Sequence, residues 1–415
     1  MNGNWTESIP EELAGNYLAL EEEILADICR RFAQSGTAVP SALHQIRQLQ
    51  EQGISLKNME TAIKRTLNIT QNQLESMFEE AVEREQAYTA ELLEKASITK
   101  PAVGGQALLL EEIEAIKNQT KQELYNITQS LGFSMKNNGN TVFYDIAKAY
   151  QNVLDMAYLE VSTGTLDYNT AIKNAVKKLT DSGIKYVYYD KKGKRWTNHV
   201  DVAVRRAVRT GVGQVSGILT ENTMQVLDTP YVIVSAHQGA RRGKGIADHA
   251  AWQGKVYFWS EKSKTGRNDY GYPDFVKTTG YGEGEGLKGY NCSHQFSAFL
   301  PGISQEEYTE KELKEMAEKT FVYKGKQYTA YEASQHMRKL ERDIRQLKRN
   351  MIGYSSAGGE ECQKAFENAA ILLQQKNRAY NSFGSAAGLK KRLASTQVQG
   401  FDRAMAARAK GYYKK

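Results

Sequence analysis

Residues 202–214 read VAVRRAVRTGVGQ, residues 235–257 read SAHQGARRGKGIADHAAWQGKVY, and residues 278–302 read TTGYGEGEGLKGYNCSHQFSAFLPG. These segments gather His237, His249, Cys292 and His294 with Trp252 and many glycines. The chain has three Cys and six His in 415 residues, and four of these nine fall in the 58-residue window His237–His294. An even spread would put roughly one there. Such crowding marks either a small metal site or a hydrogen-bonded polar centre. Three imidazoles and one thiolate make a tetrahedral zinc set, and zinc is the cofactor this set suggests. Cys292 and His294 are two apart, so in an extended stretch both point to one face. The spacings match no zinc-finger pattern. The other reading is that the four residues bond to backbone, to Asp248 and Asn291, and to each other. A metal with all four ligands would be structural, because no coordination position is left open.

Working outward, Tyr231–Ser235 is a β-branched run and predicts a buried strand, as does Gly254–Trp259. Residues 260–289 read as a Gly-rich loop. Its glycines lack the Gly-Lys-Ser/Thr ending of a phosphate loop, and Glu283 and Glu285 would repel phosphate. Asn198 is a candidate cap for a helix with Val204, Val208, Gly211, Val215 and Ile218 on one face. Its Gly211, Gly213, Ser216 and Gly217 would let another backbone come close. Before it, a helix runs from an Asp167 cap to Gly183. A hairpin then turns at Lys192-Gly193.

The first 165 residues read as helices. Glu11–Gln34 has helical spacing, and Pro40 opens a short helix to Leu49. Thr70 and Gln73 form a candidate capping box before a helix striped by Leu74, Met77, Phe78, Ala81, Val82, Tyr88 and Leu92. Two more helices, Leu108–Leu131 and Thr141–Val161, flank a turn at Lys136–Asn140. Beyond Gly302, a hairpin over Phe321–Tyr328 turns at Lys324-Gly325. Helices Ala330–Asn350 and Gly359–Asn381 follow, split at Gly353–Gly359. From Gly384 the chain reads as a basic segment that is flexible or ordered by a partner.

These elements predict a mostly α protein with a small α+β middle domain and helical N-terminal and C-terminal arms. The expected divisions are a helical region 1–165, an α+β domain 166–303, a hairpin with helices 304–383, and a basic tail 384–415. No run of eighteen apolar residues predicts a membrane span. The first residues lack the pattern of a signal peptide. Three distant cysteines suggest a reducing compartment, in keeping with assembly in a cytoplasm.

Residues 1–100 carry 9 Lys/Arg against 16 Asp/Glu, whereas residues 384–415 carry 8 Lys/Arg against one Asp. The imbalance suggests two different partners, or two ordinary solvated surfaces. Arg205, Arg206 and Arg209 suggest a cationic face for DNA or a partner. The tail cations Lys390, Lys391, Arg392, Arg403, Arg408 and Lys410 are the stronger candidates for phosphate contact.

His237-x-Gly-Ala-Arg241, His249-x-x-Trp-Gln-Gly-Lys-Val-Tyr257, Gly280-Tyr-Gly282 and Gly289-x-Asn-Cys-x-His294, closing on Pro301-Gly302, resemble the phage minor capsid protein type 2 family. That family is related to the Mu-F-like head morphogenesis proteins. Residues 321–349 carry a further echo. The resemblance implies a minor structural protein of a tailed-phage head, in the virion, near the portal vertex. It also implies portal and other head proteins as partners, and a role in capsid assembly and DNA packaging. No catalytic pattern is present, so no enzymatic activity is expected. Two rivals remain: a metal- or Cys/His-dependent enzyme carried with the particle, with Asp248 as its base, and a DNA-binding module.

Overall fold

A computed structural model describes residues 4–34, 42–52, 57–95, 97, 106–137, 139–189, 195–289, 292–389, 391–392 and 394–413. Pro40, the Lys192-Gly193 turn, Asn291, Lys390 and Lys414-Lys415 lie outside them. The N-terminal helices are α1 (Asn4–Gln34), α2 (Ala42–Gln52), α3 (Lys57–Lys95) and α4 (Gln106–Gln129). Strands β1 (Leu131–Asn137) and β2 (Asn140–Asp145) precede α5 (Ile146–Ser162) and α6 (Tyr168–Ser182). Strands β3 (Lys185–Tyr189) and β4 (Arg195–His199) lead into the long α7 (Val200–Leu227). Then come β5 (Tyr231–Val234), α8 (His249–Trp252), β6 (Val256–Phe258), α9 (Phe275–Thr279) and β7 (Phe296–Phe299). The C-terminal part is α10 (Glu310–Glu318), β8 (Thr320–Tyr323), β9 (Lys326–Thr329), α11 (Ala330–Ala357), α12 (Glu360–Ala387) and α13 (Arg403–Tyr413). The fold is mostly α with small antiparallel sheets, in the orders β2-β1-β3-β4, β6-β5-β7 and β8-β9.

Several sequence expectations change. The Lys136–Asn140 turn joins two strands, not two helices. Leu131 and Phe133, two apart, are both buried, which is the period of a strand. Gly139 supplies the positive φ (+82°) of a tight hairpin. Thr70 caps nothing. It lies inside α3, and its hydroxyl donates to the Thr66 carbonyl at 2.7 Å. The spacing of Met59, Ala62, Thr66, Thr70, Leu74 and Phe78 keeps one face buried through that point. Asn198 belongs to β4, and His199 takes the cap position of α7 without a side-chain bond. Helix α11 continues through Gly353, because that glycine is a packing contact rather than a stop. A Cβ there would lie 2.5 Å from Thr180 Cγ2. The break comes at Gly358-Gly359, both at positive φ.

The Asp167 cap of α6 is present, its side chain accepting from the Thr170 N–H at 3.0 Å. The hairpin turn at Lys324-Gly325 is present too, with both residues at positive φ. The small residues of α7 do allow close approach, but by side chains. A Cβ on Gly211 would meet Thr120 Oγ1 at 2.2 Å, and one on Gly217 would meet the Tyr281 hydroxyl at 2.6 Å.

One hydrophobic core runs from Leu13 in α1 to Ala409 in α13, taking in α3 to α7, α11 and α12. The stretches on either side of 165, and those on either side of 383, both contribute to that core. A second core lies under the three-stranded sheet and holds Val232, Trp252, Tyr257, Trp259, Phe275 and Phe296. Leu92 and Leu93 of α3 and Met224 and Leu227 of α7 reach into it. These two long helices thus serve both cores. Within the basic segment, read as flexible or ordered by a partner, Arg403–Tyr413 forms α13, with Ala409 wholly buried against the core.

Buried charges cross the larger core. Glu21 pairs with Arg349 at 3.3 Å, and Asp201 with Arg205 at 2.8 Å and Arg345 at 3.4 Å. Burial works against the Asp201 carboxylate, but the two guanidiniums hold its pKa well below the usual range.

Candidate metal centre

Antiparallel pairing of β5 with β7 sets Val234 opposite Phe296. The strand ends are extended by Ser235 N–H to the Gln295 carbonyl and by Gln295 N–H to Ser235 Oγ, both at 2.9 Å. His237, just past β5, is thereby brought beside His294, just before β7. Helix α8 adds His249 at its first residue and Trp252 at its last. The Trp252 indole donates to the Ile246 carbonyl at 2.9 Å and packs on His294, with ring centroids 4.8 Å apart.

Donor atoms of His249, Cys292 and His294 all lie within 4.8 Å of one another, and all three residues are buried. His294 Nδ1 is 3.6 Å from Cys292 Sγ. Two ligands of a tetrahedral zinc, at ordinary Zn–S and Zn–N lengths, stand about 3.6 Å apart. The outer shell also fits. His294 Nε2 lies 3.0 Å from Gln253 Oε1, and His249 Nε2 lies 2.9 Å from the Glu285 carbonyl. Both partners accept, so each ring donates from Nε2 and keeps its lone pair on Nδ1. That tautomer is how second-shell carbonyls prepare histidine for a metal. Gln253 is oriented in turn by the His237 N–H, at 3.0 Å.

His237 is not in the converging set. Its ring stacks on His294, centroids 4.3 Å apart. Of the four candidate ligands three converge and His237 is a stacked neighbour, because β5–β7 pairing lays the His237 and His294 rings side by side. Burial lowers the pKa of His249 and, helped by His237 and His249, that of His294. Both shifts favour the neutral imidazole that a metal requires. Burial pushes the Cys292 thiol up, and a bound cation would reverse that direction.

The cationic candidates scatter. Arg205 is engaged with Glu11 and Asp201, each at 2.8 Å. Arg206 lies over the Tyr188 ring at 5.3 Å. Arg209 lines a cleft of about 400 Å³. Arg205 and Arg209, four apart, both line that cleft, whereas Arg206 at the adjacent position points away. In the tail, Arg408 stacks over Phe366 at 4.0 Å and donates to Ser355 Oγ at 3.2 Å. Lys391, Arg392, Arg403 and Lys410 are exposed, and Arg392 also lines the cleft. Gln253 and the Glu285 carbonyl were invisible in sequence as second-shell groups, because nothing local links them to His294 and His249.

The phage minor capsid protein 2 family matches residues 1–383. A structural protein of Lactococcus phage LL-H is 24% identical over 174 residues, covering 40% of this chain and 43% of its own length. The chain thus spans less than half of that relative. No solved structure matches. With residues 1–383 matched, the chain belongs to the phage minor capsid protein 2 family, a family of phage structural proteins.

Proposed function

We propose that this virion protein sits at the portal vertex of a tailed-phage head, is assembled in the host cytoplasm, and presents its basic tail to packaged DNA. Family membership over residues 1–383 carries this reading. Exposed apolar side chains such as Leu110 of α4 and Leu159 of α5 suit a protein partner. Exposed Lys391, Arg403 and Lys410 suit phosphates. No described helix is long and apolar enough to cross a membrane. Co-expression with the portal protein of the same phage should yield a complex. Incorporation into heads lacking portal would sink the vertex assignment. Replacing Lys391, Arg403 and Lys410 by Gln should lower the salt-dependence slope of DNA binding by about 3. An unchanged slope would remove the tail from the DNA role.

The His249–Cys292–His294 set is proposed to hold zinc as a pin for the second core. Elemental mass spectrometry should find about one zinc per chain. His249→Ala and Cys292→Ala should lose it, whereas His237→Ala should retain it. A folded, metal-free protein would return these residues to hydrogen-bonded packing. A second reading rests on the ligand count, because three protein ligands beside a cleft leave a coordination position for chemistry. Phosphodiester or cell-wall hydrolysis that disappears in Asp248→Asn while zinc stays bound would favour that reading.

A further inference from the structure

The cleft of about 400 Å³ beside the histidines has an unusual lining. Arg338, Arg342 and Arg345 follow one another at four and three residues along α11, so they share one helix face. Arg205 and Arg209 are four apart on α7, and Arg241 comes from the loop after β5. Arg392, from the segment after α12, brings the lining to seven guanidiniums, against two carboxylates, Glu11 and Glu341. Both carboxylates are already engaged. Glu11 accepts from Arg205 Nε at 2.8 Å, and Glu341 accepts from the Tyr380 hydroxyl at 3.1 Å. Behind the wall, Asp201 meets Arg205 and Arg345. Arg338 and Arg342 have no ion pair among the described residues.

These cations come from four separate parts of the chain, and α7 and α11, which carry five of them, are held by the main core, so the fold itself concentrates them. Converging like charges in a concavity focus a positive potential that draws in an anion. Guanidinium forks match phosphate oxygens two at a time. The volume is that of a small-molecule site, not of a duplex-binding surface. Ser293 and the His237 ring add polar groups at the same wall.

We propose that this cleft binds a compact polyanion carrying at least two phosphoryl groups. The chemistry is shared by a free polyphosphate and by the end of a nucleic-acid strand, and the compact cleft favours the former. His249 and His294 line the same cleft, but the arginines that would hold the anion depend neither on the vertex assignment nor on zinc.

The test is calorimetric titration of the full chain with inorganic tripolyphosphate, at about 0.15 M salt to screen surface charge. The expected result is a saturable single site. Arg338→Gln with Arg342→Gln should weaken it by at least about tenfold, and Arg241→Gln should act in the same direction. Arg403→Gln with Lys410→Gln, exposed on α13, should leave it unchanged. Circular dichroism of each variant checks that the fold is kept, and Arg241→Gln stands in if the double variant fails to fold. Lack of saturation, or equal weakening by cleft and α13 variants, would overturn the proposal. So would a single-stranded oligonucleotide that binds without being displaced by tripolyphosphate.

Discussion

The main helical core and the small sheet around the histidines are built from different materials. The first is a set of amphipathic helices whose apolar stripes, aliphatic and aromatic, meet along their length, threaded by buried ion pairs such as Glu21–Arg349. The second has a short three-stranded sheet, and aromatic rings fill it: Trp252, Tyr257, Trp259, Phe275 and Phe296. Long helices carry their hydrogen bonds within themselves and need one buried face. Strands of three or four residues cannot hold a sheet alone, so ring packing and polar contacts must supply the rest. A small sheet therefore depends on a few large side chains, whereas a helical core spreads its stability over many side chains.

Three changes would sharpen or break that contrast. The largest effect is expected for Trp252→Ala, which empties the ring cluster and cuts the indole bond to Ile246. Its loss should cost about 4 kcal/mol in urea unfolding and take any bound metal with it. A loss under about 1 kcal/mol would mean that the sheet does not rest on its aromatics. Next is Arg349→Leu in the helical core, which strands the buried Glu21. It should cost about 3 kcal/mol at neutral pH. If Arg349→Leu proved neutral, the ion pairs would be passengers in that core.

The smallest effect is pH-dependent. Burial pushes Glu22 up to about 7, although the Gly400 N–H on its carboxylate works the other way. Its folded pKa lies above the ordinary value of 4.5. Stability from this group is therefore complete below about 4.5 and is lost as the pH rises towards about 7. Glu22→Gln, which mimics the protonated form, should gain about 2 kcal/mol at pH near 8 and nothing near pH 4. Equal gains at both values would remove the titration argument.

Legibility follows the same division. The stripe of α3 and the Asp167-to-Gly183 helix could be read directly, since 3.6-residue spacing and caps are local signals. Strand β2 falls within the stretch read as the helix Thr141–Val161, and β1 lies beyond the helix read to Leu131. A short apolar run with one Asn-Gly turn fits either state until a neighbour, here β3, offers hydrogen bonds. Crowding of His and Cys marked the middle segment as special, but it could not separate the converging His249, Cys292 and His294 from the stacked His237.

By itself the sequence determined the mostly helical class, the family and the place of the His/Cys centre. Periodicity, capping residues and block order all lie along the chain. The tertiary structure decided which three side chains converge, that α13 packs on the core, and that seven arginines line one cleft. Those outcomes depend on contacts between residues up to hundreds of positions apart. Such contacts are settled by how buried faces fit together, not by any local pattern.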